Sequence, residues 1–243
     1  MFNREHCTRT AIEDIDRRAT EDFGIPGLIL MEHASIGIAR RAEQMLADSG
    51  VASGMGRITI CCGPGGNGGD GFAAARHLAS LGHSIHLIDL IPTSAHPDRR
   101  TNREICNRLG IQMQHHAPEP TETAPSDLII DAILGSGMNS PPREPLSNCI
   151  DWIEQQEELV LSVDLPSGLV ADSGETPGAA VTANSTVALC IPHMGLLLNE
   201  GPARAGEVWV CPIGAPRTLL PRGAPVFPPE PHRLPSNSIS HLQ

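Results

Sequence analysis

At 243 residues the chain is long for one domain and short for two, which favours a single domain with extensions and a sizeable core. Aromatics make up only 2% and the apolar residues are mostly Ala, Val, Ile and Leu, as in strands buried on both faces of a parallel sheet, so a β-sandwich is set aside. The net charge is -11 and every fixed cation is Arg, there being no Lys, which excludes sequence-independent nucleic-acid binding.

The N-terminal stretch "MFNREHCTRTAIEDIDRRA" is polar and reads as no secretory signal. No apolar run reaches the roughly 18 residues of a spanning helix, so no membrane association and a cytoplasmic location are expected. Two helices come first. "TAIEDIDRRATEDF" is followed by a break at "GIPG" and then by "LILMEHASIGIARRAEQMLADSG", in which Leu28, Met31, Ile36, Ile38, Ala42, Met45 and Leu46 recur at spacings of three and four. Strand and helix then alternate. "RITICC" reads as a strand, "DGFAAARHLASLG" as a helix, "SIHLIDL" as a strand, "PDRRTNREICNRLG" as a helix and "IQMQH" as a short strand. "SDLIIDAIL" is a strand, "LSNCIDWIEQQ" a helix, "ELVLSVDLPSG" a strand with its exit loop, and "STVALCI" and "GEVWVCPIG" close the set. Such alternation implies right-handed crossovers and a doubly wound, mostly parallel, Rossmann-like α/β sheet behind two extra N-terminal helices. Residues 221–243 are dense in Pro and Ser without periodicity and read as a disordered tail, which leaves 8–220 as the domain. The seven cysteines form no C-x-x-C pair and no zinc spacing; they read as small buried hydrophobes of a reducing compartment.

Ligands of open parallel sheets bind beyond the carboxyl ends of the strands, and three polar segments stand there: "GPGGNGGDG" from Gly63, "DAILGSGMNSPP" from Asp131 and "DLPSG" from Asp164. The first contains G-x-G-x-x-G as Gly63, Gly65 and Gly68, with Asp89 about twenty residues on, which is formally a dinucleotide fingerprint. Against that, the following helix is expected to start at Asp70 as its N-cap, a carboxylate where a phosphate would lie. A Walker phosphate loop is ruled out by the lack of Lys. A mobile glycine turn is the plain alternative, as Asx-type turns are for Asp131 and Asp164. Read together, Asn67, Asp131, Asp164 and Ser167 can converge on one crevice as oxygen ligands of a hard cation or as a base for proton transfer.

In this order the segments resemble the NAD(P)H-hydrate epimerase family, the YjeF N-terminal domain. "LMEHASIGIA" is similar to that family's LMENAG-x-x-x-A, "GPGGNGGDG" to GPGNNGGDG, "DAILGSG" to DALFGTG and "DLPSG" to DIPSG. "AVTANSTVAL" and "PIGAP" follow its later motifs, so the likeness runs from about residue 11 to 216. The resemblance implies an isomerase of nicotinamide cofactor repair, interconverting the R and S forms of hydrated NADH and NADPH. It implies one potassium ion per subunit held by Asn67, Asp131 and Ser167, with Asp164 as catalytic acid/base. Gly66, Asn67, Gly68, Gly69, Asp70 and Asp164 would bind substrate, and Gly135, Ser136, Gly137, Met138, Asn139, Ser140 and Pro141 would cradle phosphate through backbone amides. A homodimer is implied, as is a functional partner, an ADP- or ATP-dependent NAD(P)H-hydrate dehydratase that acts on the S form.

Four positions depart from the pattern. Gly66 stands where the family has Asn, His33 and Ser35 replace the Asn and Gly of the helix motif, and "PHMG" puts His193 where Lys is common. Two further readings follow: a catalytically impaired nucleotide-binding or scaffold homologue, motivated by Gly66 and His193, and an ordinary NAD-dependent dehydrogenase, motivated by the fingerprint and Asp89.

Overall fold

The structure, a computed structural model, describes residues 4–119, 126–222, 224 and 230–234. Helix α1 (Arg9–Glu21) is capped by Thr8, whose hydroxyl accepts from the Ala11 amide at 3.3 Å, and it turns Ile12, Ile15 and Ala19 inward. Helix α2 (Gly27–Asp48) buries Leu30, Met31, Ala34, Ile38, Ala42, Met45 and Leu46, so that of the stripe expected from its three-and-four spacing only Leu28 and Ile36 stay half-buried.

The sheet follows: β1 (Arg57–Cys62), α3 (Gly66–Ser80), β2 (Ser84–Asp89), α4 (Pro97–Arg108), β3 (Gln112–Gln114), β4 (Leu128–Ala132), α5 (Leu146–Ile153), β5 (Leu159–Val163), β6 (Ser185–Leu189), the short α6 (Gly201–Arg204), β7 (Glu207–Cys211) and β8 (His232–Arg233). The strand order is β3-β2-β1-β4-β5-β6-β7-β8, parallel except for the β7–β8 pair. The central strands β1, β4 and β5 are buried nearly throughout because both faces are covered. Ile58, Ile60, Leu128 and Ile130 pack with α2, α3 and α4, while Cys61, Ile129 and Val160 pack with Cys149, Ile150, Trp152 and Ile153 of α5. Helix α1 closes a separate cluster with α2 and the segment after β6, through Ile12, Leu30, Cys190 and Ile191.

Three expectations are corrected. Helix α3 begins at Gly66 with Gly65 as its N-cap residue, so Asp70 lies inside the helix and caps nothing. Glycine in the first turn was read as loop because its helix propensity is low, but here packing overrides propensity. The β5–β6 crossover over residues 164–184 contains no helix, although the strands are parallel. The tail returns: Arg233 pairs with Trp209 and His232 with Val210, which adds an antiparallel edge strand within the stretch read as disordered. The remainder of that expectation, at 223, 225–229 and 235–243, lies outside the described residues.

All seven cysteines are free and buried. No helix among the described residues is long and apolar enough to cross a membrane.

Candidate functional site

Strand order reverses between β1 and β4, and β4 also pairs with β5, so the carboxyl ends of these three strands lie side by side. That switch point is where open α/β sheets accommodate ligands. A cavity of about 790 Å³ opens there, walled by the turns after β1 and β4, by Asp164 and His193, and by α1 in front.

Behind the wall, Asp131 at the end of β4 ties the turns together. Its Oδ1 accepts from the Ser167 hydroxyl at 2.5 Å and the Ile133 amide at 3.2 Å, and its Oδ2 accepts from the Ser162 hydroxyl at 2.9 Å and the Ser167 amide at 2.8 Å. Burial pushes this carboxyl up, and the four donors pull against the push. The Ser167 oxygen also accepts from the Leu134 amide at 2.8 Å, and Asn67 Nδ2 donates to the Leu134 carbonyl at 3.0 Å. Asn67 in the first turn of α3, Asp131 at the end of β4 and Ser167 after β5 are thereby joined through the backbone of Ile133 and Leu134. Asn67 Oδ1 is left buried with no partner. Glycine makes the approach possible: a Cβ on Gly63 would stand 1.8 Å from the Ile133 carbonyl oxygen, and one on Gly68 would stand 2.1 Å from that of Gly63.

Asp164 sits just past β5 with φ of 65°, a left-handed conformation that costs a non-glycine residue about 1–3 kcal/mol. Its amide donates to the Val187 carbonyl at 2.8 Å, which pins the strained residue to β6. One carboxylate oxygen accepts from the Leu189 amide at 3.4 Å, and the other lies 3.2 Å from Nε2 of the buried His193. Burial favours the neutral imidazole, yet Asp164, Asp172 and Glu13 together raise its pKa.

Other acids face the same space. Asp70 is pushed well above the carboxylate range by burial, then by Asp164, Asp16 and Asp98. Asp16 of α1, an exposed residue at the mouth of the cavity, is pushed up to about 6 by the loss of water around its carboxyl and by Asp164. The loop of residues 135–141 lines the same cavity, with Gly135 beside Asp164, and its Gly135, Ser136, Gly137, Asn139 and Ser140 amides donate to no partner among the described residues. Such a row of free amides suits an anion.

Of the residues expected from the sequence, Gly66, Asn67, Asp70, Asp164 and the whole 135–141 loop line the cavity. Gly68 and Gly69 stand behind it as packing positions; a Cβ on Gly69 would meet Met31 at 2.6 Å. Asp131 and Ser167 hold the floor from below. Glu13, Asp16, His96, Asp98 and Arg143 were missed. For Asp16 a signal existed, an acid four residues after Ile12 beside an apolar stripe, where a solvated face would be the ordinary reading. His33 belongs elsewhere, with Nδ1 3.1 Å from the Ile213 carbonyl, and the buried Ser35 bonds its own helix at the Glu32 carbonyl. Asp89 is fully buried against Arg99 and 2.6 Å from Arg103, so it cannot reach a ribose, which removes half of the dinucleotide fingerprint. No group of three or more His, Cys, Asp or Glu among the described residues is arranged to hold a metal.

The family model described as YjeF-related protein N-terminus matches residues 27–195. Among similar proteins, a bifunctional NAD(P)H-hydrate repair enzyme of Hyperthermus butylicus is 39% identical over 202 residues, covering 81% of this chain and 36% of its own length. The chain thus spans well under half of that relative. An NAD(P)H-hydrate epimerase of Limosilactobacillus fermentum is 35% identical, with 84% of this chain and 96% of that protein covered. One of Rhodopirellula baltica is 32% identical, with coverages of 88% and 85%. The crystal structure of yeast ynu0 superposes with a TM-score of 0.79 at 20% identity, over 94% of this chain and 99% of that one, and so shares the fold.

Proposed function

Since the chain belongs to the YjeF-related protein N-terminus family, we propose that it epimerises hydrated NADH and NADPH. The observation that carries this reading is the strained Asp164 in the wall of a cavity that is also lined by amides without a partner among the described residues. The reacting carbon bears a hydroxyl beside the ring nitrogen. Its departure as water takes one proton from an acid and leaves a cation shared between that carbon and the nitrogen. Water then adds to the other face and returns the proton, so the centre inverts with no net change in protons or electrons. Asp164 is the acid/base in this scheme. The raised carboxyl of Asp16 beside it brings a second proton donor toward neutral pH. The free amides of the 135–141 loop would take the substrate's phosphates.

The donors also fit one potassium ion per subunit. Of Asn67, Asp131 and Ser167, which would hold it, Asn67 Oδ1 has no partner among the described residues, whereas both Asp131 oxygens and the Ser167 hydroxyl are already hydrogen-bonded and would exchange a partner for the ion. When bound, the ion would supply charge that fastens the three turns rather than strong Lewis acidity. The same reading expects a homodimer in the cytoplasm. It also expects an ADP- or ATP-dependent dehydratase that consumes the S form, a coupling that the bifunctional repair enzyme of Hyperthermus butylicus supports.

The test is epimer exchange with purified dehydratase as reporter and potassium present. We expect exchange above the spontaneous rate, and Asp164→Asn to lower it by about 100-fold or more. That variant should melt no lower than wild type, because Asn tolerates the left-handed conformation better than most residues. Nucleotide binding without acceleration would favour the impaired-homologue reading instead.

A further inference from the structure

We infer that His193 is the positioning residue of Asp164, aiming its carboxylate and supplying the cation beside it. The pairing rests on geometry, and its kinetic consequence rests on the epimerase reading. His193 is 1% exposed and follows β6, a different strand from the one that delivers Asp164. Its Nε2–Oδ2 distance of 3.2 Å makes it the closer of the carboxylate's two partners, the other being the Leu189 amide at 3.4 Å. Because the Asp164 backbone is strained, side-chain partners decide where the carboxylate points.

The ring in turn depends on Asp164. His193 Nδ1 is buried and has no partner among the described residues, so the one hydrogen bond to Asp164 fixes the ring's orientation. Glu13 and Asp16 on α1 and Asp164 and Asp172 after β5 face the imidazole, and they outweigh the burial that would neutralise it. Asp16, which shares the cavity, meanwhile sets like charge against Asp164. A cation at hydrogen-bond distance favours an ionised carboxylate, whereas like charges oppose it. His193 is the group that opposes them here, and the acids around it hold its proton above the ordinary imidazole range. As pH rises through its raised pKa the cation disappears, and the site loses the charge that holds Asp164 in place.

Exchange is measured from pH 6 to 9 for wild type, His193→Gln and His193→Lys, with the uncatalysed rate subtracted at each pH. Wild-type kcat should fall on the alkaline side with KM little changed. His193→Gln should be slower on the order of 100-fold at pH 7 and show no alkaline limb, and His193→Lys should recover rate and exceed wild type at pH 9. In parallel, the His193 imidazole is titrated by NMR in wild type and in Asp164→Asn, where its midpoint should drop. Should wild type give no acceleration, the epimerase reading fails, while a dropped midpoint still upholds the pair. An unchanged midpoint in Asp164→Asn, or superimposable profiles for wild type and His193→Gln, overturns the inference.

Discussion

Asp89 ends β2 and Asp164 follows β5, and each is an acid set against a cation inside the same sheet. Asp89 is 0% exposed, stands in regular strand geometry, and has Arg99, also 0% exposed, and Arg103 on its two oxygens. Asp164 has left-handed geometry, a single titratable partner and an open cavity before it. A carboxylate saturated by permanent cations has no capacity left for a substrate, and Arg99 extends the saturation by donating to the Gly63 carbonyl at 2.6 Å beneath the glycine turn. The strained acid with a cation that can be lost keeps both a free face and a variable charge. Sequence position at a strand end is common to both, so what separates structure from site is how completely the partners satisfy the group.

The comparison breaks most visibly at the saturated pair. Arg99→Met removes one of the two Arg partners of the buried Asp89 carboxylate, and loss of about 3 kcal/mol in unfolding free energy is expected from urea melts. Adding Asp89→Asn to that variant should recover a large part of the loss. Asp164→Asn gives the opposite pattern, with intact stability and lost exchange. A smaller effect is expected at the hub that joins the turns. Ser167→Ala leaves one Asp131 oxygen short of a donor and the Leu134 amide without its acceptor, which should cost about 1–3 kcal/mol and abolish any gain in melting temperature on adding potassium.

Much of this arrangement was legible before the structure. Short apolar runs gave every strand from β1 to β7 and three-and-four spacing gave the second leading helix, because the strands bury both faces and the helix one stripe. Asn67, Asp131, Asp164 and Ser167 were placed together because each lies at a strand's carboxyl end. Three things were not legible. The first turn of α3 is glycine, which local propensity reads as loop, and only the close packing of Gly63, Gly68 and Gly69 shows why helix forms there. The pairing of His232 and Arg233 with β7 is a long-range contact that no local periodicity announces. Asp16 comes from a helix outside the sheet, and its arrival in the cavity depends on how α1 packs on the segment after β6.

Asp16 offers a pH test of that packing. Its carboxyl is raised in the folded state to about 6 from an ordinary value of 3.8, so the native protein binds the proton more tightly than the unfolded chain does. Stability contributed by this group is therefore greatest in acid and declines as pH rises between those two values. Asp16→Asn removes the decline. Its melting temperature should approach that of wild type near pH 4 and exceed it progressively up to pH 7, where a parallel course for the two proteins would mean that the α1 acid is not enclosed by the site.

The smallest effect is expected at Gly66, where the sequence departs from the family's Asn. A Cβ there meets nothing closer than His96 Nε2, at 3.7 Å, an ordinary contact, and the position is the first residue of α3 with no positive φ to protect. Glycine at this point is thus not required by packing, in contrast to Gly63 and Gly68 a few residues away. Gly66→Asn should change unfolding free energy by no more than about 0.5 kcal/mol, and because the new amide would project toward the cavity it should act on KM rather than kcat. A loss of stability comparable to that of Ser167→Ala would show that the first turn of α3 is as tightly constrained as the hub behind it, and the distinction between a satisfied floor and an adaptable wall would fall.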